Sequence, residues 1–196
     1  MPAMRFHQAP DAFETAEMTD GTPVLHRDRR VSHDLAAVVA CPGVLAALMA
    51  TKLLYDANRS TQLPHAAIAM AVGGLSLVAL FFAGLSLTLA VLRTVVTQYA
   101  VHVRCGLWGP SIPLAEIVSC NVVRYRVRDF SGVGYREGPN DARAYVLTSG
   151  PALSLVYREA GKQRCVFVGA QDPEATLEHI ERARAALHAA AAAGLH

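Results

Sequence analysis

Charge is scarce in this chain and missing altogether from one long stretch. Lys, Arg, Asp and Glu make up 17% of the 196 residues, and none of them occurs in residues 66–92. At about 1.5 Å per residue, a helix of that length exceeds a hydrocarbon core of about 30 Å, so it can cross a bilayer with tilt to spare. No excess of one sign replaces the missing charge. The net value is +2, about −2 before residue 35, +1 through the apolar region and +3 after it, so no part is basic enough for a nucleic-acid partner.

Chemical motifs are equally sparse. Cys41, Cys105, Cys120 and Cys165 form no CxxC pair, which fits neither a disulfide framework nor a zinc site, and they read as small buried hydrophobes. The eight histidines stand singly, without HExxH or an i, i+4 partner, and no serine sits in a GxSxG elbow. Gly132-Val133-Gly134-Tyr135-Arg136-Glu137-Gly138 lacks GxGxxG spacing and no helix follows it, so it reads as a strand-to-strand turn with a bulge. The first 21 residues lack the basic start, apolar run and small-residue cleavage site of a signal peptide. We therefore expect no enzyme, no cofactor and no metal.

The residues that are present divide the chain into four parts. Residues 1–34, with Pro2, Pro10, Gly21 and Pro23 among six acids and four arginines, show no sustained apolar period and predict a loosely ordered cytoplasmic arm. Residues 35–92 predict a two-helix transmembrane hairpin with spans at 35–54 and 66–92, joined by a short polar connection at 55–65. Pro42 removes one hydrogen bond from the first span, while Gly43 with Ala47, and Ala69 with Gly73, are small-residue pairs that let helices approach closely. Arg27, Arg29 and Arg30 before the first span and Arg93 and Arg104 after the second outweigh Lys52 and Arg59 between them, which places both termini in the cytoplasm.

After Arg93 the apolar period changes to two, the mark of strands with one buried face. Strands are predicted at 94–98, 99–104, 117–125, 134–137, 143–148, 153–158 and 164–169, divided by glycine and proline turns. Asp172 is an N-cap and Pro173 a first helical residue for a closing helix with Leu177, Ile180, Ala183 and Leu187 on its apolar stripe. This makes residues 93–190 one β domain, with 191–196 a tail.

Several short sequences in this region resemble bacterial pleckstrin-homology-like (PH-like) domains carried on membrane hairpins. They are Cys105-Gly106-Leu107-Trp108-Gly109, Ile112-Pro113-Leu114-Ala115-Glu116-Ile117, Gly132-Val133-Gly134-Tyr135-Arg136, Ala144-Tyr145, Gly150-Pro151-Ala152-Leu153, Val166-Phe167-Val168-Gly169 and Asp172-Pro173-Glu174. Their order and spacing carry the resemblance, over residues 94 to about 187. At Val133 such domains often have a tryptophan, which this chain lacks. The resemblance implies a seven-stranded antiparallel PH-like sandwich or barrel with a C-terminal capping helix. It also implies a multi-pass protein of the bacterial inner membrane with the domain in the cytoplasm.

Candidate contact residues follow from charge and exposure. Arg124, Arg126 and Arg128 alternate as on one strand face, with Arg136 expected near them beyond the turn at 129–133. They make either a basic strip for anionic lipid headgroups or a solvated outer face. Trp108 is either an interfacial anchor or a packing residue at a hairpin end. The functional expectation is a protein-interaction or assembly module, with a protein partner or a second copy; the alternatives are lipid-headgroup sensing and an enzyme acting on a membrane substrate.

Overall fold

A computed structural model of the chain describes residues 12–19, 21–59, 64–126, 128, 134–138 and 142–194. The turns expected at 129–133 and at Pro139-Asn140, and the departure at Val133, lie outside the described residues. The chain divides into a helical unit, Val31–Val91 with Cys105–Leu107, and a β unit made of the remainder.

In the helical unit, Ser32 caps helix α2 (His33–Ala57), its hydroxyl accepting from the Leu35 amide at 3.2 Å. Helix α3 (His65–Leu89) returns beside it. Ala36 of α2 accepts a 2.7 Å hydrogen bond from Ser86 of α3, and Gly43 lies against Ala79 and Phe82, so one numbering rises as the other falls and the helices are antiparallel. Gly43 permits this close approach: a Cβ would stand 3.0 Å from the Phe82 Cβ and 3.1 Å from the Ala79 carbonyl oxygen, so the neighbours would have to give. Pro42 does not end α2. Both helices have the length and composition to cross a membrane, yet in their most apolar stretches only 17% and 6% of residues are buried.

The β unit begins earlier than the sequence suggests. After helix α1 (Ala12–Glu17), strand β1 (Val24–Val31) pairs with β2 (Val91–Thr97), which continues through β3 (Ala100–Cys105) to β4 (Ser111–Pro113) in a four-stranded sheet. A second sheet holds β5 (Ile117–Tyr125), β6 (Gly134–Glu137), β7 (Arg143–Val146), β8 (Gly150–Glu159) and β9 (Lys162–Gly169), in the order β5-β8-β9-β7-β6. Helix α4 (Pro173–Ala192) closes the chain, with Asp172 as its cap.

Register explains the second sheet's burial. Cys120 pairs with Leu155, Leu155 with Val166, and Leu153 with Val168, which puts all five on one face. Each is buried, as are Ile180 and Ala183 of α4, and the Arg184 guanidinium of α4 donates to the Ile117 carbonyl at 2.7 Å. The opposite face buries Tyr125, Ala144, Val146 and Ala152, with Val123 and Phe167 packed against them. A sheet covered on both sides suits the near-continuous apolar runs of β7 to β9.

Three expectations need correction. The domain is not a single seven-stranded antiparallel sandwich: among the described residues nine strands form two sheets, and β7 runs parallel to β9 because β9 inserts between β7 and β8. A period-two pattern fixes where strands lie but says nothing of neighbour order. Second, the described part of the arm, residues 12–19 and 21–34, is not loose. Several of its charges are met by partners: Asp28 is buried and accepts from the Gln171 and Asp172 amides, and Arg30 donates to Thr148 and to the Ala170 carbonyl. Buried Glu14 pairs with Arg27 at 3.2 Å and reaches Arg93 at 3.9 Å, tying α1 to β1 and β2. Third, the long apolar run is divided: α3 ends at Leu89, and Leu92 is a buried strand residue. A linker inserted after Arg93 would therefore cut β2 rather than extend a tether.

The β8–β9 turn carries a small strain. Ala160 and Gly161 both have positive φ, 50° and 77°, the type I′ geometry that favours Asn-Gly. Ala160→Asn is expected to raise stability by roughly 0.5–1 kcal/mol, read as a higher midpoint of chemical unfolding with an unchanged slope.

Candidate functional site

Arg124 is the one arginine of the expected strip that lies on β5, opposite Pro151, with its side chain exposed while the next residue, Tyr125, is buried. Arg126 and Arg128 are also exposed but follow the end of the strand. Among the described residues none of the three has an acidic partner within 4 Å. Arg136 is exposed on β6, the opposite edge strand, with three strands between it and β5 in the hydrogen-bonding order. The sheet order thus does not make it a neighbour of the other three.

Trp108 is 68% exposed, so it does not pack at the hairpin end. Gly109 beside it has a φ of 152°, and any Cβ there would collide with the Val103 carbonyl. The β3–β4 loop is fixed by Arg104, whose guanidinium donates to the Gly109 carbonyl and the Ser111 hydroxyl, and by His102, whose Nδ1 lies 2.9 Å from the same hydroxyl.

A second polar cluster forms where β6 to β9 meet. Glu159 Oε2 lies 2.7 Å from Arg164 Nε and 4.0 Å from Arg143 Nη1, and Tyr157 stands opposite Arg164 on the neighbouring strand. Burial pushes the Tyr157 phenol up, Glu159 adds to this, and Arg143 and Arg164 oppose it. Tyr135 donates to Glu137, and that hydrogen bond raises its phenol as well. The Glu159 carboxylate offsets one of the two cations and ties β7, β8 and β9 together.

A concave feature of the β unit lies elsewhere. A groove of about 480 Å³ runs along α4, walled by Leu25 of β1, Tyr99 of the β2–β3 turn and the helix residues Ala183, Ala186, Leu187 and Ala190. Gln98, His179 and Arg182 supply its polar lining. The ring of His179 stacks on His26 with centroids 4.7 Å apart, and His26 Nε2 is 3.1 Å from the Thr176 hydroxyl. Sequence reading missed this site because its walls come from residues 25, 98–99 and 179–190, and no local pattern links them.

Of the four cysteines expected to be buried, Cys105 and Cys120 are, Cys165 is half-buried and Cys41 is exposed. Burial pushes the Cys120 thiol up to about 12, with Glu181 adding to the effect and Arg184 opposing it, and burial alone raises Cys105 to about 11. A raised thiol pKa means less thiolate in the folded state than in the unfolded state at any pH below these values. At pH 8 we expect Cys105 and Cys120 to be alkylated roughly 100-fold more slowly in the native protein than in denaturant, as mass spectrometry of the labelled peptides would show. The same shift makes the thiols' contribution to stability complete below about pH 9 and progressively lost as pH rises through the folded values.

Among the described residues no three His, Cys, Asp or Glu side chains gather to hold a metal ion. No protein-family model, curated protein or solved structure matches the chain.

Proposed function

We propose that this chain is a membrane-anchored protein of the bacterial inner membrane, whose β unit works at the cytoplasmic face as an interaction or assembly module. The observation that carries the reading is the exposure of α2 and α3. Val38, Leu48, Met70, Leu77, Leu80 and Leu87 are 61–77% exposed, far more contiguous apolar surface than water tolerates and suited to lipid. Clustered arginines before α2 and after α3 favour a cytoplasmic β unit. The resemblance of the turn and strand sequences to PH-like domains on membrane hairpins supports a module that binds a protein partner or a second copy. Edge strand β6 is short and carries exposed Arg136 and Glu137, so strand addition there is guarded against, and side-chain surfaces are the better contacts.

Native mass spectrometry of the full chain released from its own membrane tests the module reading: a defined assembly supports it, and a strict monomer without bound protein opposes it. Protease added outside intact cells tests the orientation, since removal of the β unit would reverse it.

The exposure of Arg124, Arg126 and Arg128 favours a second reading, contact with anionic headgroups at on the order of 1 kcal/mol per charge. Trp108 is the one tryptophan of the chain and reports on it directly. In nanodiscs, quenching of its emission by headgroup-labelled anionic lipid should fall on Arg124→Glu with Arg126→Glu. Equal quenching in neutral lipid would remove the lipid reading.

A further inference from the structure

We propose that the groove beside α4 binds a long-chain fatty acid, with the acyl chain along the alanine-rich helix face and the carboxylate at Arg182 and His179. The inference rests on the β unit alone and does not depend on the membrane reading.

The groove's size comes first. About 480 Å³ falls within the range of small-molecule sites, about 300–1,000 Å³. Its shape follows the helix. His179 and Ala190 bound the α4 lining, and eleven residues of helix span about 16 Å, the reach of an extended acyl chain rather than of a compact ligand.

Polarity along that length is graded. Beyond Arg182 the helix contributes Ala183, Ala186, Leu187 and Ala190, and across from them stand Leu25 and Tyr99, which are 37% and 59% exposed. Water gains nothing from this wall, whereas a methylene chain would cover it. His179 and Arg182 stand at the other end of the α4 lining, and the charged group lining the groove is a cation. Glu178 engages Arg182 through one oxygen, Oε1 to Nη2 at 2.5 Å, with both side chains about two-thirds exposed, so the remaining donors of the guanidinium fork are available to a carboxylate. A single chain with one anionic end matches this arrangement. An alcohol lacks the charge.

The test uses the full chain in detergent-free nanodiscs of neutral phospholipid, with a sixteen-carbon fatty acid carrying a mid-chain diazirine as probe. Photolysis and peptide mapping should place the label on the α4 segment 183–190 and on the peptide holding Tyr99, and hexadecanoic acid should compete it away. Ala186→Trp, which fills the groove, should reduce that label about tenfold while leaving the melting transition in place; if it alters melting, Ala190→Trp blocks the same groove one turn further along α4. Arg182→Gln should weaken competition by the acid about tenfold and leave competition by hexadecanol unchanged. Label confined to α2 and α3, label that persists in the tryptophan variants, or equal competition by acid and alcohol overturns the proposal. Protein–protein cross-links through the groove without lipid label would assign it to a second copy instead.

Discussion

Asp28→Ala is expected to cost about 2–4 kcal/mol of the stability of the β unit, a large share of the 5–15 kcal/mol typical of a domain. Asp28 is 7% exposed, and its carboxylate accepts from the Gln171 amide at 2.9 and 3.1 Å and from the Asp172 amide at 2.9 Å. These amides immediately precede the first turn of α4, so one anion on β1 organises the start of a helix 145 residues further along the chain. Hydrogen bonds to a charged acceptor contribute about 1.5–3 kcal/mol, and removing the acceptor leaves two donors facing an apolar methyl. Because Gln171 is exposed, water recovers part of the loss and sets the lower end of the range. Asp28→Asn keeps one acceptor and should cost about half as much. Chemical unfolding of the full chain in lipid, followed by far-ultraviolet circular dichroism of the β signal, reads both. A midpoint unchanged in Asp28→Ala would show that β1 is an accessory to the sheet rather than part of it.

Leu77→Arg with Leu80→Arg is expected to abolish stable membrane insertion. Leu77 is the central residue of α3, and the two leucines are 69% and 70% exposed. An arginine at the centre of a spanning helix costs about 2.5–3.5 kcal/mol, so the pair approaches on the order of 6 kcal/mol. On a water-exposed helix the same changes would fall within about 0.5 kcal/mol and would improve solubility. The two environments therefore predict opposite signs. Sodium carbonate extraction of the membrane fraction separates them: the native chain should stay in the pellet and the double variant should be released. Release of the native chain, or retention of both, would refute a spanning hairpin.

The two predictions depend on features of different legibility. The α3 run is visible to anyone reading residues 66–92, because lipid demands nothing of a helix beyond length and an apolar surface. Asp28 is invisible by the same reading, since Val24–Val31 carries charge on both faces and offers no alternation. Only the amides at 171–172, the Thr148 hydroxyl and the Ala170 carbonyl turn those charges from solvated groups into ties. The candidate site divides likewise. Exposure of Arg124 and Trp108 agrees with a surface role, but the spacing that grouped Arg124, Arg126 and Arg128 assumed a strand that stops at Tyr125.

Local physics is what the sequence by itself determined. Strands at Ile117–Tyr125 and Gly134–Glu137 fall where period two and flanking turns place them, and α4 starts at the Asp172 cap and Pro173. These features depend on backbone preference and on the polarity of residues a few positions apart. Tertiary structure alone decided the rest: the recruitment of β1, the insertion of β9 between β7 and β8, the division of the long apolar run at Ala90, and the groove beside α4. In each case a segment's fate rests on a partner tens of residues away that neutralises a charge, completes a ladder or faces it across a cavity, and such long-range satisfaction leaves no periodic trace along the chain.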